Sequence, residues 1–277
     1  MALMTKINGL TFEKNRPPHV MGILNLSPES FYKGSVLDSS SILDAALKMV
    51  DDGASLLDVG ARSTAPGALN ISKEEEKKRL FSALDLLSDQ ISIPISVDTM
   101  YADVADGALN RGASIINDIS GLKADEKMAA TIAEYDAGAV LMATHKKPGD
   151  PLGMSSVFSA LTDSISTAER AGIDSQKIIL DPAVGHWIPE KTAEYDFDII
   201  NRFEAFQSFE KPLLIAVSRK SFLNSAVLKP ANERLIPSLI AASIAAYKGG
   251  HIVRTHDVSE TVEAMKIVSF IAASKKY

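Results

Sequence analysis

The chain has 277 residues, of which 46% are hydrophobic and 23% are charged, and its formal net charge at pH 7 is −6. This composition is typical of a globular protein, and the acidic balance argues against a general nucleic-acid-binding surface. Cysteine is absent from the sequence, which excludes disulfides, thiolate nucleophiles and cysteine metal sites. The first twelve residues lack the apolar core of a signal peptide, and no run approaches the roughly 18 apolar residues of a membrane span. We therefore expect a cytoplasmic protein with no membrane or nucleic-acid partner.

Eight short apolar runs, nearly all ending on a polar or charged residue, succeed one another along the chain. They are rich in Ile, Val and Leu and have no polar face, which is typical of strands buried on both sides of a parallel sheet. A helical pattern follows nearly every run. The alternation predicts an α/β protein with one (β/α)8 TIM barrel, and a doubly wound open sheet is the alternative. The runs cover residues 22–27, 55–60, 95–99, 115–120, 138–144, 178–182, 214–221 and 251–257.

The boundaries of this domain follow from the same pattern. We expect a single domain over residues 1–277, in which residues 1–18 form an N-terminal flap and the barrel begins at about residue 19. The segment 7–12 (INGLTF) is predicted to close the bottom of the barrel. The last helix is expected to begin with Asp257 and Glu260 as a capping box.

Two connections are longer than packing requires. Residues 26–38 follow the first strand and residues 60–78 follow the second, and both segments contain Gly, Pro and Ser. Loops of this length at the carboxyl face of a barrel are usually lids or substrate clamps.

Polar residues end most of the predicted strands. Because the carboxyl ends of parallel strands meet at one mouth, we expect these side chains to form one site. Two of them also have local interpretations, since Asp98 could cap the helix that follows it and Asp181 could belong to a turn with Pro182. The candidates are Asn25, Asp58, Asp98, Asn117, Asp181, Lys220, Arg254 and His256.

Several long motifs then resemble those of one family. The stretches MGILNLSPESF, DVGARSTAPGA, ISVDTMYADVADGALNRGASIINDISG, DPAVG, AVSRKSF and ERLIPSLIAASIAAYKGGHIVRTHDVSETVEAMKI occur in the family's order and cover most of residues 20–268. They are similar to dihydropteroate synthases, which join a dihydropterin pyrophosphate to p-aminobenzoate with release of pyrophosphate. The resemblance implies a transferase of folate biosynthesis with a (β/α)8 barrel.

The resemblance assigns pterin binding to four of the candidates. Asp181 matches the carboxylate that accepts hydrogen bonds from the guanidine-like edge of the ring, a geometry that suits a carboxylate. Asp98 and Asn117 match residues on other ring edges, and Lys220 matches the lysine at the ring carbonyl. Asp98, Asp181 and Lys220 are thus implied to be catalytic. Arg219 could equally brace the barrel.

The resemblance also implies a leaving-group site. Arg254 and His256, two positions apart on the last strand, match catalytic residues that hold the pyrophosphate. Asn25 matches an asparagine associated with the diphosphate and with Mg2+, the implied cofactor. Ser221 begins a segment whose backbone N–H groups could bind the acceptor's carboxylate, with an ordinary helix cap as the alternative. Thr64 is implied to contact substrate.

The loops depart from the family pattern. Where the family usually has Ser-Thr-Arg-Pro-Gly, the chain has Ala65 in place of Arg, and Arg62 stands three positions earlier. The family's glycine-rich DPGIGFGK is replaced by DPAVGHWIPEK, which places His186 and Trp187 near the mouth. These changes leave the arylamine acceptor open. A pterin-dependent methyltransferase that serves a corrinoid protein and a non-catalytic pterin-binding protein remain alternatives.

Two helical segments are apolar or small on almost every side. They are residues 233–250 and 262–273. Such a surface is usually buried by a neighbour, and family members commonly form dimers through this region. We expect a homodimer, although both helices could instead pack only on the barrel.

Overall fold

The computed structural model describes residues 4–13, 16–26, 39–62 and 71–274. The strands in this part of the chain are β1 Met4–Ile7, β2 Leu10–Glu13, β3 His19–Asn25, β4 Leu56–Gly60, β5 Ile95–Asp98, β6 Ile115–Asp118, β7 Gly138–Met142, β8 Ile178–Asp181, β9 Leu214–Ile215 and β10 Ile252–Thr255. The α-helices are α1 Ser39–Asp51, α2 Lys73–Leu87, α3 Ala102–Leu109, α4 Met128–Glu134, α5 Gly153–Arg170, α6 Ala193–Asn201, α7 Asn224–Val227, α8 Leu235–Tyr247 and α9 Val258–Ala273. Among the residues described, none of the helices has both the length and the apolar content needed to span a bilayer.

The eight strands from β3 to β10 form one parallel sheet that closes on itself. Their order in the sheet is β8-β7-β6-β5-β4-β3-β10-β9. A parallel bridge between Leu180 and Leu213 joins the two ends, and the Leu180 N–H donates to the Pro212 carbonyl at 2.9 Å. The predicted (β/α)8 barrel is confirmed in these residues. Because all eight strands run the same way, their carboxyl ends surround one mouth.

The antiparallel hairpin of β1 and β2 lies across the opposite end of the barrel. Ile7, Leu10 and Phe12 are at most 5% exposed. They form a second core with inward-facing residues near the starts of the barrel strands, separate from the larger core between sheet and helices. The barrel residues in this second core are Met21, Leu56, Ile115, Val140, Ile179, Leu214 and Ile252. An apolar plug therefore fills the bottom and leaves the polar strand ends at the mouth.

The strand predicted over residues 214–221 is much shorter in the structure. Pairing of β9 ends at Ile215, and the Lys220 N–H donates to the Val217 carbonyl at 3.3 Å. Arg219 has a φ of 57°, in the left-handed region. A turn therefore replaces the second half of the predicted strand.

Candidate active site at the carboxyl ends of the strands

A buried carboxylate on β4 links four strands beneath the mouth. Asp58 is 0% exposed, and its Oδ1 accepts a hydrogen bond from the Ser96 hydroxyl at 2.7 Å. Its Oδ2 accepts from Asn117 Nδ2 at 3.1 Å and from Arg254 Nε at 2.6 Å. Arg254 Nη2 also lies 3.3 Å from Asp98 Oδ2. The side chains from β4, β5, β6 and β10 thus form one polar network.

Asp98 in this network has a strongly perturbed acidity. Burial and the nearby carboxylate of Asp58 raise the pKa of Asp98 to about 7, and the guanidinium of Arg254 opposes that rise. Glu76 and Asp118 add weaker repulsion. A carboxyl group that titrates near neutral pH is suited to exchange a proton with substrate or to respond to the charge of a bound ligand.

A second group, on β8 and on the turn after β9, faces the same mouth. Asp181 Oδ1 accepts from the Ala183 N–H at 2.8 Å, and burial raises the pKa of Asp181 against the attraction of Lys220 and Arg254. Lys220 Nζ donates to the Val184 carbonyl. Burial lowers the pKa of Lys220 to about 8, with Asp181 opposing the change. The mouth therefore brings a buried carboxylate and a half-buried amine close enough for each to influence the pKa of the other.

The loop after β8 is fixed from behind by a fully buried ion pair. Lys191 and Asp196 are both 0% exposed, and Lys191 Nζ lies 3.3 Å from Asp196 Oδ1. Lys191 Nζ donates to the Ala183 carbonyl, and Asp196 Oδ1 accepts from the Gly185 N–H at 2.8 Å. Gly185 has a φ of 133°, and a Cβ atom there would lie 2.9 Å from Lys220 Cδ. The backbone that meets Lys220 is thus held in one conformation.

Trp187 on this loop lies against Lys220. Lys220 Nζ lies 4.9 Å from the centroid of the indole ring, within the range of a cation–π contact. The ring also packs on Gly149, where any Cβ atom would lie 2.2 Å from it. The segment DPAVGHWIPEK, which replaces the family's glycine-rich motif, therefore contributes an aromatic wall on the Lys220 side of the mouth.

The rim beside Arg254 is built from residues of the turn after β9 and of the β10–α9 junction. Ser218 Oγ lies 3.0 Å from His256 Nδ1 and accepts from the His256 N–H at 3.2 Å. Arg219 binds Asp257 with two nitrogens, one of them Nε at 2.9 Å from Oδ2. The Arg219 N–H donates to Ser238 Oγ at 2.8 Å. Arg219 therefore braces the barrel, as the alternative interpretation of the sequence had it.

Comparison with known proteins is consistent with this geometry. The sequence profile of the family described as pterin binding enzyme matches residues 21–256. The dihydropteroate synthase of Bacillus subtilis (strain 168) is 38% identical over 270 residues, covering 95% of this chain and 91% of that protein. The enzyme of Escherichia coli (strain K12) is 37% identical over 272 residues, covering 94% of this chain and 93% of that protein. The chain belongs to the dihydropteroate synthase family.

Solved structures of family members show the same fold. The Xanthomonas albilineans dihydropteroate synthase with 4-aminobenzoic acid has a TM-score of 0.89 at 29% identity, and the match covers 99% of this chain and 100% of that one. The Coxiella burnetii dihydropteroate synthase in complex with pteroic acid has a TM-score of 0.86 at 33% identity, covering 98% and 99% of the two chains. The fold match to dihydropteroate synthases, which are transferases, thus extends over nearly the full length of the chain.

The structure brings most of the predicted site residues of this family together. Asp98, Asn117 and Arg254 share the first network, and Asp181 and Lys220 form the second group, which interacts electrostatically with Arg254. His256 is exposed at the rim. Asp98 is not a helix cap, because the N-cap of α3 is Tyr101. The predicted strand-end convergence therefore accounts for the central part of the site.

Of the remaining predicted positions, the structure describes Asn25 and Ser221 but not Thr64. Asn25 ends β3 and is half-buried opposite Gly60 on β4. Ser221 is exposed and begins a 3-10 helix, Ser221–Leu223, that leads into the four-residue α7. Thr64 and Ala65 lie outside the described residues. The roles assigned to Asn25, Thr64 and Ser221 stay predictions.

The structure also gives the partners of two charged residues outside the strands, Asp257 and Arg62. The capping box predicted for α9 is wrong, because Asp257 makes no side-chain cap hydrogen bond and binds Arg219 instead. Arg62 binds the buried Glu76 with Nε at 3.1 Å and with Nη2 at 3.0 Å. The charge of Arg62 is therefore already matched by a carboxylate.

Sequence reasoning named Asp58 as a strand-end candidate but gave it no role. It missed Ser96 and the pair of Lys191 and Asp196 altogether. Ser96 lies within a strand and two residues before Asp98, which is a signal for a side chain on the same face. Nothing in the local sequence pairs Lys191 with Asp196, since the contact depends on the path of the loop.

Proposed function

We propose that the protein is a working dihydropteroate synthase. It transfers the dihydropterinylmethyl group of 6-hydroxymethyl-7,8-dihydropterin pyrophosphate to p-aminobenzoate or a related arylamine and releases pyrophosphate. The observation that carries the proposal is the buried carboxylate of Asp181 beside Lys220, facing a second polar network that contains Arg254. Relatives with pteroic acid or 4-aminobenzoic acid support the choice of pterin and arylamine.

The first task of the site is to hold a planar pterin. Asp181 is positioned to accept hydrogen bonds from the guanidine-like edge. It is 5% exposed, and among the described residues its carboxylate accepts a hydrogen bond only at Oδ1, from the Ala183 N–H. Lys220 is close enough to Asp181 to affect its pKa and can donate to the ring carbonyl. Asn117 and Asp98 meet other polar edges. In a site that excludes water, such pre-oriented groups bind the ring without reorganisation.

The second task is to stabilise the departing diphosphate. Cleavage of the C–O bond at the pterin methylene leaves positive charge on the ring system and negative charge on the diphosphate, so no side-chain nucleophile is needed. Arg254 keeps Nη1 without a hydrogen bond to any described residue, while Nε and Nη2 are bound to carboxylates. His256 stands two residues later at the rim. Both can contact the diphosphate as charge develops, and the arylamine then attacks the methylene.

Mg2+ is the cofactor that we propose for the leaving group. In the part of the chain that the structure describes, no cluster of three or more acidic or histidine side chains could hold an ion. A single amide oxygen at the mouth fits Mg2+, because this ion usually takes one or two protein oxygens and completes its shell with substrate phosphates and water. Asn25 is the protein ligand we propose. When bound, the ion neutralises part of the diphosphate charge.

The proposal is tested by pyrophosphate release from the pterin ester and p-aminobenzoate with Mg2+ present. We expect turnover with the native chain and at least a 10-fold lower kcat/KM with Asp181→Asn, because hydrogen bonds to charged groups contribute roughly 1.5–3 kcal/mol. Ala65→Arg is the comparison for the second loop. Because Arg62 is bound to Glu76, we expect added activity from this variant. Absence of turnover by the native chain with several arylamines, despite pterin binding, would contradict the proposal.

We also propose a homodimer formed through α8 and α9. Both helices carry exposed large apolar side chains at helical spacing. On α8 they are Ile236 64%, Ile240 56%, Ile244 44% and Tyr247 60%, and on α9 they are Ile267 61%, Phe270 78% and Ile271 55%. An apolar patch of this kind on two packed helices is typical of a protein interface.

The oligomer is tested by sedimentation of the full chain. Ile240→Glu should convert a dimer to a monomer, while Ser159→Glu on the exposed face of α5, outside the proposed interface, should not. A native chain that sediments as a monomer at micromolar concentration would contradict the proposal. The cytoplasmic location stays a prediction.

A further inference from the structure

Asp58 stands apart from the residues that the proposed reaction needs at the substrate. It is 0% exposed, and so it cannot touch a ligand in the mouth. It nevertheless contacts two residues that do face the mouth, Asn117 and Arg254, and each of these contacts uses the same carboxylate oxygen. A buried carboxylate with three donors and no ligand of its own is suited to orient the donors.

We propose that Asp58 is a positioning residue that fixes both the amide of Asn117 and the guanidinium of Arg254 for catalysis. This inference rests on the proposed function and adds a residue to it. Ser96 in turn fixes Asp58, because its hydroxyl binds Oδ1 and leaves Oδ2 for the other two donors.

The effect on Asn117 is a choice of orientation. Its Nδ2 donates to Asp58 at 3.1 Å, so the amide oxygen points away from Asp58 and is the acceptor that Asn117 can offer to the substrate. A carboxylate cannot donate a hydrogen bond, so the opposite orientation would place two acceptors against each other. Asp58 thereby presents an acceptor to the pterin ring at this position.

The effect on Arg254 is to hold one edge of its planar, fork-shaped guanidinium group. Nε lies 2.6 Å from Asp58 and Nη2 lies 3.3 Å from Asp98, so the fork is fixed along one edge. The remaining nitrogen, Nη1, makes no hydrogen bond to any described residue and can donate to an anion. An arginine held in this way loses little freedom when an anion arrives.

Asp58 also sets the electrostatic state of Asp98. The charged groups that act on Asp98 are Asp58, Arg254, Glu76 and Asp118, and Asp58 is the strongest of the repelling three. Removal of the Asp58 charge should therefore make Asp98 more acidic. Substitution of a buried residue with only a structural role would not change the pKa of Asp98.

The experiment compares Asp58→Asn with the native chain by pyrophosphate release across pH 5–9. We expect kcat/KM to fall by on the order of 100-fold, the size of loss that follows a small misplacement of reacting groups. The acid limb of the profile should move to lower pH. Asp118→Asn is the matched control, because Asp118 is equally buried on β6 but binds the N–H groups of Ser120 and Leu122. The acid limb of the Asp118→Asn profile should move less than that of the Asp58→Asn profile.

The outcomes separate the two proposals. One outcome overturns the positioning role and leaves the proposed function intact. In it, Asp58→Asn folds, keeps kcat/KM within about 2-fold of native and has the same acid limb. A change of about 2-fold or less is smaller than the loss of one hydrogen bond would give. A native chain without turnover overturns both. If Asp58→Asn does not fold, Ser96→Ala decides: a fall in kcat/KM of about 2- to 12-fold, as for one hydrogen bond, supports the inference, and an unchanged value overturns it.

Discussion

The closure of the barrel contains a histidine that should make its stability depend on pH. His251 Nδ1 accepts a hydrogen bond from the Leu213 N–H at 3.1 Å, and Leu213 is the residue that bridges to Leu180 where the sheet closes. The rings of His251 and of Phe12 in the plug are nearly perpendicular, with an interplanar angle of 74° and centroids 6.4 Å apart. Burial lowers the pKa of His251 to about 4, with His19 adding repulsion. Protonation at Nδ1 would remove the acceptor that Leu213 uses.

The sign and size of the effect follow from proton linkage. The ordinary pKa of histidine, which applies in the unfolded chain, is 6.5. Between about pH 6.5 and 4 the unfolded chain therefore binds a proton that the native protein does not. Native stability therefore falls as the pH falls through this window, and the loss levels off below the native pKa. A difference of roughly two and a half pKa units at about 1.4 kcal/mol each gives a loss of about 3 kcal/mol.

The assay measures the free energy of unfolding in guanidinium chloride at several pH values by circular dichroism. Buried Asp98 and Asp181 have raised pKa values and act with the opposite sign. The informative quantity is therefore the difference between the native chain and His251→Asn, which keeps an acceptor for the Leu213 N–H but does not titrate. This difference should favour the variant increasingly from pH 6.5 to 4. Parallel curves across that range would refute the reasoning.

Three further outcomes follow from the site and the plug. The pH profile of kcat/KM should be bell-shaped. Activity should fall below about pH 7 as Asp98 is protonated and above about pH 8 as Lys220 loses its proton. Lys220→Arg, if active, should lose the alkaline limb, since arginine stays charged. Gly185→Ala should lower kcat/KM while leaving the secondary structure intact, because the new Cβ would lie 2.9 Å from Lys220 Cδ; activity equal to native would show that the loop has room to move. Phe12→Ala should reduce the free energy of unfolding by about 3–5 kcal/mol, as for a large buried side chain, measured by denaturant unfolding, and a loss under 1 kcal/mol would mean that the plug is not part of the cooperative core.

The barrel could be predicted from the sequence because its signals are local. Buried parallel strands read as apolar runs, and each run predicted a strand that the structure contains. The run over residues 214–221 predicted too long a strand, because Ala216 and Val217 are as apolar as their neighbours and only the turn geometry at Arg219 ends the pairing. The capping box failed for a related reason: Asp257 has a partner, Arg219, that is 38 residues away.

The site could be predicted in part for a topological reason. Parallel strands bring their ends together whatever the side chains do, so Asp98, Asn117 and Arg254 could be grouped without any knowledge of contacts. Their chemical roles came from the family resemblance. The arrangement around Asp58 could not be predicted, because it depends on which oxygen faces which strand.

The sequence has a single tryptophan, and it is Trp187, whose ring lies against the ammonium group of Lys220. Indole emission responds to the charge and contacts next to the ring, so occupancy of the mouth is reported by an intrinsic optical signal with no competing fluorophore of the same kind. Binding can therefore be followed on the native chain without a label, separately from turnover.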